Sequence, residues 1–413
     1  MSADRAALAA RNKALAAQKH RPGVRARVRN ALLAALARLP VSPARHARTD
    51  AILLLRPDHL GDVLFITPAV RALRAACPAA EITALVGPWS AGVLAPFPEI
   101  NHLVTLRFPG FTRQRKGGLA APYVLAWQSA RKLRELAYGA AVILRPDHWW
   151  GGLLAYLAGI PLRVGYDLPG VSGFLTDRHA YATGVHSVQL NLKLVERWTG
   201  RLAGADVRLA YPLLKEDIAY VDAYLSERGS GRLPEGQRGA TGGERLIAVH
   251  VGSGSVYKTW LADRWARVSD ALAERHGARI VLTGAAREAS AARAVASQMR
   301  TPAIIAAGDT TIGQLAALYA RSDLVLGPDS GPLHLAVAVG TPTVHLYGPA
   351  DPSVYGPWGP RERHAVVQSQ WMGCVPCGVL DWSGDRPDNH PCVQEITVAQ
   401  ALAAADAVLA AGG

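Results

Sequence analysis

The stretch from Leu324 to Tyr347 constrains the fold of this chain more than any other. The apolar run Leu324 to Leu326 predicts a buried parallel strand, and a turn rich in Gly, Pro, Asp and Ser follows it. Small residues from Leu333 to Val339 predict a helix that a Gly and a Pro terminate, and Thr343 to Tyr347 predict a second strand. Strand, turn, helix and strand with short connections are the repeating unit of a parallel α/β sheet.

The turn at 327–332 combines two features that attract an anion. It lies at the carboxyl end of a strand and at the amino end of a helix, where unpaired N–H groups and the helix dipole favour a phosphate. We therefore expect a phosphate-bearing ligand to be held by Asp329, Ser330, Gly331 and His334. The open alternative is a capped helix, with Asp329 or Ser330 as N-cap and His334 as a packed helix residue.

A second turn of this kind occurs at 251–260, after another apolar strand. Its glycines allow close backbone approach, Ser253 and Ser255 offer hydroxyls, and Lys258 offers a positive charge. The spacing matches neither a P-loop nor the dinucleotide-binding glycine pattern. Because the carboxyl ends of parallel strands lie at one edge of a sheet, this loop and the turn at 327–332 together predict a site for the two phosphates of a nucleotide-sugar.

The same α/β pattern begins earlier in the chain. Ala51 to Leu55 predict a buried strand, Val63 to Ala76 a helix, and Glu81 to Val86 the next strand. A polar, glycine-rich stretch at 229–243 separates this series of units from the second one. We therefore predict two doubly wound α/β domains facing a central cleft, at 49–210 and 245–413, joined by a linker helix and flexible loop at 211–244.

A six-residue pattern occurs twice in the first domain. Residues 54–59 read Leu-Leu-Arg-Pro-Asp-His, and residues 143–148 read Ile-Leu-Arg-Pro-Asp-His. Both copies follow a predicted strand, so they are expected to flank the same cleft. A carboxylate that faces this cleft could act as a general base. Asp62, which follows the first copy in the Gly61-Asp62 turn, is one candidate, although it could instead cap its helix. Spacing does not choose among the candidates, which are Asp62, Asp58, His59, Asp147 and His148.

The first 48 residues form a basic segment that carries +10 of the net charge of +13. Within it, residues 24–39 predict an amphipathic helix whose apolar positions are Val24, Val28, Leu32, Leu36 and Leu39. This helix could lie on an anionic membrane surface, or it could pack its apolar stripe on the protein. Nucleic-acid binding is not expected, because the segment lacks interleaved aromatic residues and no other basic motif supports it.

Composition bounds the remaining possibilities. Cys374, Cys377 and Cys392, with His390 close by, suggest a zinc site, but their spacing fits no standard motif and reduced structural cysteines are the expected state.

No run of 18 uncharged apolar residues predicts a transmembrane helix, and the N-terminus does not resemble a signal peptide. The expected location is the cytoplasm, with peripheral contact at the cytoplasmic face of the inner membrane left open.

Together these motifs resemble glycosyltransferase family 9, the ADP-heptose:lipopolysaccharide heptosyltransferases. The similar elements are Ile52 to Leu73 with its Gly61-Asp62 turn, the fragment at 163–166, the loop at 251–258, and the stretch from Asp329 through His334 to the Gly-Thr-Pro-Thr at 340–343. The resemblance implies a GT-B fold with two Rossmann-like domains, the acceptor on the first and the nucleotide-sugar on the second. It also implies an inverting transfer that requires no metal or other cofactor.

The resemblance further implies roles for individual residues. Asp62 is expected to deprotonate the acceptor hydroxyl, and Lys258 to stabilise the leaving diphosphate. The donor, ADP-heptose, is expected to be bound by Ser253, Ser255, Lys258, Asp329, Ser330, Gly331 and His334. The acceptor is expected to be a lipopolysaccharide core or a related glycolipid.

Several features depart from the family pattern or leave the function open. Pro57-Asp58-His59 occupies the first turn where the family has small polar residues, and Glu288 lies later than the glutamate typical of the family. Three cysteines are present near the C-terminus where many members have four. The competing hypotheses are a nucleotide-sugar epimerase with the same fold and a non-catalytic nucleotide-sugar-binding protein.

Overall fold

The computed structural model describes residues 3–112, 118–201, 207–228, 245–369 and 372–411. The chain forms two compact units, the first comprising Pro22–Val207 and the second Met1–Arg21 together with Arg208–Gly413. The chain begins with helix α1 (Ala3–His20), which packs within the second unit. The predicted glycine-rich loop at 229–243 lies outside the described residues.

The first unit contains one six-stranded sheet in which every neighbouring pair is parallel. Its strands are β1 (Arg48–Arg56), β2 (Glu81–Val86), β3 (His102–Thr105), β4 (Tyr138–Ile143), β5 (Leu162–Tyr166) and β6 (Asp177–His179). Its helices are α2 (Val24–Leu36), α3 (Leu60–Leu64), α4 (Thr67–Ala76), α5 (Ala91–Leu94), α6 (Ala121–Glu135), α7 (Trp149–Leu157), α8 (Ser187–Lys193) and α9 (Glu196–Thr199). The strand order is β3-β2-β1-β4-β5-β6. Strands β2 and β3 are added on one side of β1 and strands β4 to β6 on its other side, so the strand order reverses between β1 and β4.

The second unit repeats this arrangement. Its strands are β7 (Arg245–His250), β8 (Ala278–Thr283), β9 (Ala303–Ile305), β10 (Leu324–Pro328), β11 (Thr343–Tyr347) and β12 (His364–Gln368). Its further helices are α10 (Lys215–Arg228), α11 (Ala262–His276), α12 (Ala289–Ala296), α13 (Ile312–Ala320), α14 (Gly331–Ala338), α15 (Pro352–Tyr355) and α16 (Val398–Ala411). The parallel order β12-β11-β10-β7-β8-β9 reverses between β7 and β10, which are the counterparts of β1 and β4.

Alternate residues of the central strands enter different hydrophobic clusters. Ile247 and Val249 of β7 pack in the cluster that includes side chains of α11 and α16, whereas Ala248 packs with side chains of α13 and α14. Both faces of the sheet are therefore covered, which explains why these strands are continuous apolar runs. Helix α10, predicted as part of a linker, belongs to the second unit, because its Val221 and Tyr224 pack into that unit's core.

The helix predicted from Val63 to Ala76 is two helices in the structure, α3 and α4. The break falls just before Thr67-Pro68, and the proline lies in the first turn of α4. Proline has no N–H to continue a preceding helix and is favoured at the first helical positions, so it starts a new helix here. The Thr67 hydroxyl donates to the carbonyl oxygen of Leu64 at 2.8 Å and links the two helices.

The basic segment 1–48 does not form one body. Helix α1 packs in the second unit, where the buried Asn12 side chain donates to the Asn389 carbonyl oxygen at 2.7 Å and Arg11 pairs with Asp385 at 2.8 Å. Helix α2 packs in the first unit through Leu33, which is 1% exposed. No described helix has both the length and the apolar character needed to cross a membrane.

Candidate functional site

Each sheet reverses its strand order at one point, and the predicted site residues cluster at these two points. In open α/β sheets, ligands bind at the carboxyl ends of the strands beside such a reversal. In the first unit the turns that follow β1 and β4 carry the two copies of the Arg-Pro-Asp-His pattern. Arg145, from the second copy, forms an ion pair with Asp58 from the first. The repeated pattern therefore builds the two sides of one cluster.

Arg56, at the end of β1, is the centre of this cluster. Its buried guanidinium group donates through Nη1 to the Leu144 carbonyl oxygen at 2.7 Å and through Nη2 to Asp62 Oδ1 at 3.2 Å. Its Nε lies 2.7 Å from Asp58 Oδ2. Asn191 accepts from Nη1 at 3.3 Å and adds a contact from α8. These contacts give Arg56 one orientation and make it a fixed support for the Asp62 carboxylate.

The three candidate carboxylates have different environments. The Asp58 side chain is 3% exposed and lies between two arginines, whereas the side chains of Asp62 and Asp147 are 36% and 65% exposed. Burial alone raises the pKa of the Asp58 carboxyl, but the charges of Arg56 and Arg145 outweigh it and hold that pKa below its ordinary value. The Asp58 carboxylate is therefore held in ion pairs with the two arginines. Asp62 is the carboxylate that is both held by Arg56 and accessible.

The two histidines of the repeated pattern also differ. His148 is buried beside Phe108 and Phe111, with ring centroids 5.4 and 5.8 Å away. Burial lowers the pKa of His148 to about 3, so the ring is neutral at pH 7. His59 is exposed and lies 5.6 Å from the Trp89 ring. The surroundings of His148 indicate aromatic packing, and its burial keeps it away from any incoming substrate.

In the second unit, the turns after β7 and β10 meet through one ion pair. Lys258 Nζ donates to Asp329 Oδ2 at 2.8 Å, and the two side chains are largely buried. Asp329 is anchored in turn, because its backbone N–H donates to the Leu346 carbonyl oxygen at 2.8 Å. The pair therefore fixes the Lys258 ammonium group beside the amino end of α14.

Ser330 is the N-cap residue of α14, but its side chain makes no capping hydrogen bond. Its Oγ is buried and has no hydrogen-bond partner among the described residues. A buried hydroxyl without a partner costs free energy, which a bound acceptor atom would recover. The capped-helix alternative accounts for the position of Ser330 but leaves its hydroxyl unexplained. Gly331 is the first residue of the helix, and its contact with a ligand stays a prediction.

The hydroxyls of Ser253 and Ser255 are both engaged in hydrogen bonds with backbone groups. Ser253 Oγ donates to the Ser255 carbonyl oxygen at 3.0 Å. Ser255 Oγ donates to the Leu380 carbonyl oxygen at 2.8 Å and accepts from the Tyr257 N–H at 3.3 Å. Both hydroxyls therefore shape the loop that carries Lys258, in addition to any contact with a ligand.

His334 lies beneath the turn, inside the second unit. It is buried, and its ring centroid lies 5.5 Å from that of His345 on β11. Burial, followed by the proximity of His334 and His364, keeps the pKa of His345 well below its ordinary value. Tyr347 continues this row, and its pKa is raised by burial and by the neighbouring Asp329. The turn therefore lies against a row of aromatic and imidazole rings.

Arg56, Arg145 and Asn191 were not predicted as site residues, and Glu288 departs from the position that the family pattern predicts. Glu288 Oε2 accepts from the Ala285 N–H at 2.7 Å and lies against Gly252, where a Cβ atom would overlap the carboxylate. The glycine thus permits a close approach between Glu288 and the loop that carries Lys258. The repeated arginines were the available signal for the first-unit cluster, but only the strand order brings them together.

The three cysteines and His390 lie close together, and His390 forms a hydrogen bond with an aspartate. Cys374, Cys377 and Cys392 line one small cavity with His390, and all three thiols are free. Burial raises the pKa of Cys392 to about 12, and His390 Nε2 bonds to Asp385 Oδ2 at 3.0 Å. Within the described ranges, no group of three or more His, Cys, Asp or Glu side chains is arranged to hold a metal ion.

Comparison with known proteins agrees with this architecture. A model of the family described as "Glycosyltransferase family 9 (heptosyltransferase)" matches residues 126–378. Lipopolysaccharide heptosyltransferase 3 of Escherichia coli is 24% identical over 353 residues, which cover 84% of this chain and 96% of that protein.

Two solved structures are similar in fold. The family 9 glycosyl transferase of Veillonella parvula DSM 2008 has a TM-score of 0.70 at 23% identity and covers 88% of this chain and 98% of its own. The E. coli ADP-heptose LPS heptosyltransferase II has a TM-score of 0.66 at 22% identity, with coverage of 87% and 98%. The predicted α/β fold of the GT-B type is confirmed. Since the family model also spans more than half of the chain, the chain belongs to glycosyltransferase family 9 and is a glycosyltransferase.

Proposed function

We propose that this protein transfers heptose from ADP-heptose, with inversion, to a lipopolysaccharide core or a related glycolipid. Family membership supports the reaction class, and the similarity to the E. coli ADP-heptose LPS heptosyltransferase II supports this donor. The observation that carries the proposal is the pairing of Lys258 with Asp329 beside the Ser330 hydroxyl, which has no hydrogen-bond partner in the described part of the chain. This arrangement offers a cation, a hydroxyl donor and a helix N-terminus to one diphosphate.

On the donor side, we assign diphosphate binding to Lys258, Ser330 and the N-terminus of α14 at Gly331. Asp329 holds the ammonium group in place before the donor arrives, so little reorganisation is needed when it binds. Ser253 and Ser255 keep the loop in the conformation that presents Lys258. His334 supports the turn from below.

On the acceptor side, we assign the general base to Asp62. Its carboxylate is accessible, and the buried guanidinium of Arg56 orients it. Asp58 is excluded from this role by its burial between two arginines. Asp147 is the remaining carboxylate alternative, because its side chain is exposed and, among the described contacts, its carboxylate bonds only to Arg145.

The proposed reaction is a single displacement at the anomeric carbon. Asp62 accepts the proton of the acceptor hydroxyl while that oxygen forms a bond to the anomeric carbon. The bond from this carbon to the diphosphate oxygen breaks, and its electron pair leaves with ADP. Lys258 and Ser330 stabilise the charge that develops on the leaving group, and attack from the opposite face inverts the configuration. These residues supply the electrostatic stabilisation without a metal ion.

A glycolipid acceptor is bound to a membrane, so we include membrane contact through residues 24–39 in the proposal. The expected setting is the cytoplasmic face of the inner membrane, where a nucleotide-sugar is available. No role for nucleic acid is included.

A donor screen followed by a transfer assay tests the proposal. The purified full-length protein is heated with ADP-heptose and with other ADP-, GDP- and UDP-sugars. Donor at 100 times its dissociation constant is expected to stabilise the protein by about 2.7 kcal/mol. The stabilising donor is then incubated with extracted glycolipid, and heptosylated product is measured. Stabilisation only by another nucleotide-sugar would replace ADP-heptose in the proposal.

Two matched variants test the base. Asp62→Asn is expected to abolish transfer while leaving donor binding within about twofold, and Asp147→Asn is expected to retain transfer. Both remove one charge from an exposed carboxylate of the same cluster. Full transfer by Asp62→Asn with loss in Asp147→Asn would assign the base to the second copy of the pattern. Donor binding without transfer to any glycolipid extract would favour a binding protein.

A further inference from the structure

Helix α2 exposes the greater part of its predicted apolar stripe. Leu32 is 63% exposed, and Val24, Val28 and Leu39 are likewise exposed, whereas the neighbouring Leu33 is buried. Residues four apart lie on one face of a helix, so Val24, Val28 and Leu32 form a single outward row. The helix is held to the first unit by its other face. Its exposed apolar row can therefore contact a partner outside the first unit.

A second helix, distant in sequence, presents similar side chains. Trp127 of α6 is 54% exposed, and Val124 and the preceding Leu119 are also exposed. An adjacent face of α6 is buried through Ala126, Ala130 and Leu133. Like α2, α6 is anchored by one apolar face and leaves another in solvent.

The two helices lie on the same side of the first unit's sheet. Leu33 of α2 and Ala126 of α6 belong to one hydrophobic cluster. Trp149 connects the helices, because the Arg29 guanidinium lies 5.3 Å from its ring centroid and the Tyr123 ring 5.7 Å from it. At the other end of α6, Arg134 donates to the Ser42 carbonyl oxygen at 2.8 Å, shortly after α2 ends. The outward faces of α2 and α6, here called the α2–α6 face, are therefore neighbours.

The charge on this face is predominantly positive. Residues 22–48 contain six arginines and no acidic residue. On α6, Arg131 lies over the Trp127 ring at 5.1 Å, and the one acidic side chain of this helix, the exposed Glu135, follows Arg131 by one turn. Contact with a second copy of the chain would bring these like charges together. An exposed apolar patch rimmed by arginines, with a tryptophan among them, matches an anionic bilayer, where cations meet phosphates and tryptophan favours the interface.

We propose that the α2–α6 face docks on an anionic membrane surface. Val28, Leu32 and Trp127 enter the boundary between headgroups and acyl chains, while Arg25 and Arg131 pair with lipid phosphates. The inference extends the membrane contact proposed for residues 24–39 to a second helix. It rests on the proposed function only for its biological setting, because docking requires neither donor nor acceptor.

Sedimentation with lipid vesicles tests the inference on the full-length protein. Vesicles of phosphatidylcholine are compared with vesicles of phosphatidylcholine and phosphatidylglycerol at a ratio of about seven to three, at low and high salt. Binding is expected only to the anionic vesicles and is expected to weaken as salt rises. Equal binding to both compositions, or no binding to anionic vesicles at low salt, would overturn the inference. The second result would direct the search to an acidic protein partner.

Variants locate the contact. Leu32→Ser combined with Trp127→Ser is expected to lower the partition coefficient about tenfold or more, because two apolar side chains no longer enter the bilayer. Arg25→Gln with Arg131→Gln is expected to lower it about fivefold for each charge removed. The matched control, Leu214→Ser with Val366→Ser, changes exposed apolar residues of the second unit and should bind as the wild type does.

Each substitution is also made singly, and loss of binding in Leu32→Ser and Arg25→Gln with none in Trp127→Ser and Arg131→Gln would remove α6 from the face. Thermal unfolding and donor-induced stabilisation should match the wild type in every variant, which excludes misfolding as the cause. Because sedimentation uses no sugar donor, failure of heptose transfer would leave this result intact.

Discussion

The pair of Lys258 and Asp329 gives the most discriminating prediction, because its contributions to stability and to catalysis can be separated. The perturbation is a double-mutant cycle of Lys258→Met, Asp329→Asn and the combination of both. Each single change leaves one buried partner uncompensated, whereas the double change removes both charges. Transfer, by contrast, needs the ammonium group itself and should not recover in the double variant.

The expected magnitude follows from the geometry. At 2.8 Å and an effective dielectric constant of about 20, the Coulomb attraction is about 6 kcal/mol. Desolvation of the two largely buried side chains consumes part of this, so a coupling free energy of about 2–4 kcal/mol remains. Lys258→Met alone is expected to lower the free energy of unfolding by about 3 kcal/mol. For a unit of this size, the midpoint of thermal unfolding would fall by about 6–12 °C.

The assay combines unfolding with steady-state transfer. Lys258→Met is expected to lower kcat by about 10² to 10³, which is the typical loss when one preorganised donor to a developing negative charge is removed. The double variant should regain most of the lost stability and none of the lost activity. Stability losses that simply add, with a coupling below about 0.5 kcal/mol, would refute the buried pair. Recovery of kcat in the double variant would refute a catalytic role for Lys258.

Three further predictions follow from the same structure. Ser330→Ala should weaken ADP binding about tenfold or more by titration calorimetry without lowering stability, because its hydroxyl has no partner in the described structure. Leu33→Ala should lower the free energy of unfolding in urea by about 2–5 kcal/mol, and the matched Leu32→Ala by less than about 0.5. The pKa of His148 is about 3 when folded, below its ordinary value, so the unfolded chain takes up a proton first as pH falls. Its contribution to stability is complete above about pH 6.5 and is lost toward pH 3, and His148→Leu should reduce the slope of stability against pH by about 1.4 kcal/mol per unit.

Each of these has a contradicting result. Unchanged ADP affinity in Ser330→Ala would remove that hydroxyl from the donor site. Equal costs for the two leucine variants would mean that α2 is not anchored by its Leu33 face. An unchanged slope of stability against pH in His148→Leu would show that the ring does not titrate with unfolding.

Local sequence patterns were sufficient for most of the secondary structure. The strands predicted at Glu81–Val86 and Thr343–Tyr347 have the bounds observed for β2 and β11. Continuous apolar runs between turn residues specify strands covered on both faces, and this signal needs no distant contact. The prediction of one helix from Val63 to Ala76 was wrong. It followed the helical periodicity across Pro68, whereas in the structure this proline lies in the first turn of a new helix.

The candidate site could be predicted only in part. The residue types of Lys258 and Asp329 at strand carboxyl ends indicated an anion site, but their direct pairing did not follow from a separation of 71 residues. Arg56 and Arg145 were visible as a repeated pattern without a role. Their shared contact with Asp58 depends on a side-chain geometry that no spacing encodes.

Two series of α/β units, their turns and the amphipathic character of α2 are local properties, so they could be read from residue order. Which turns meet was decided by the crossovers that make β1 a neighbour of β4 and β7 a neighbour of β10. The tertiary structure likewise determines which face of α2 is buried. Leu32 and Leu33 are adjacent and equally apolar, and only the shape of the core beside α2 determines that Leu33 enters it.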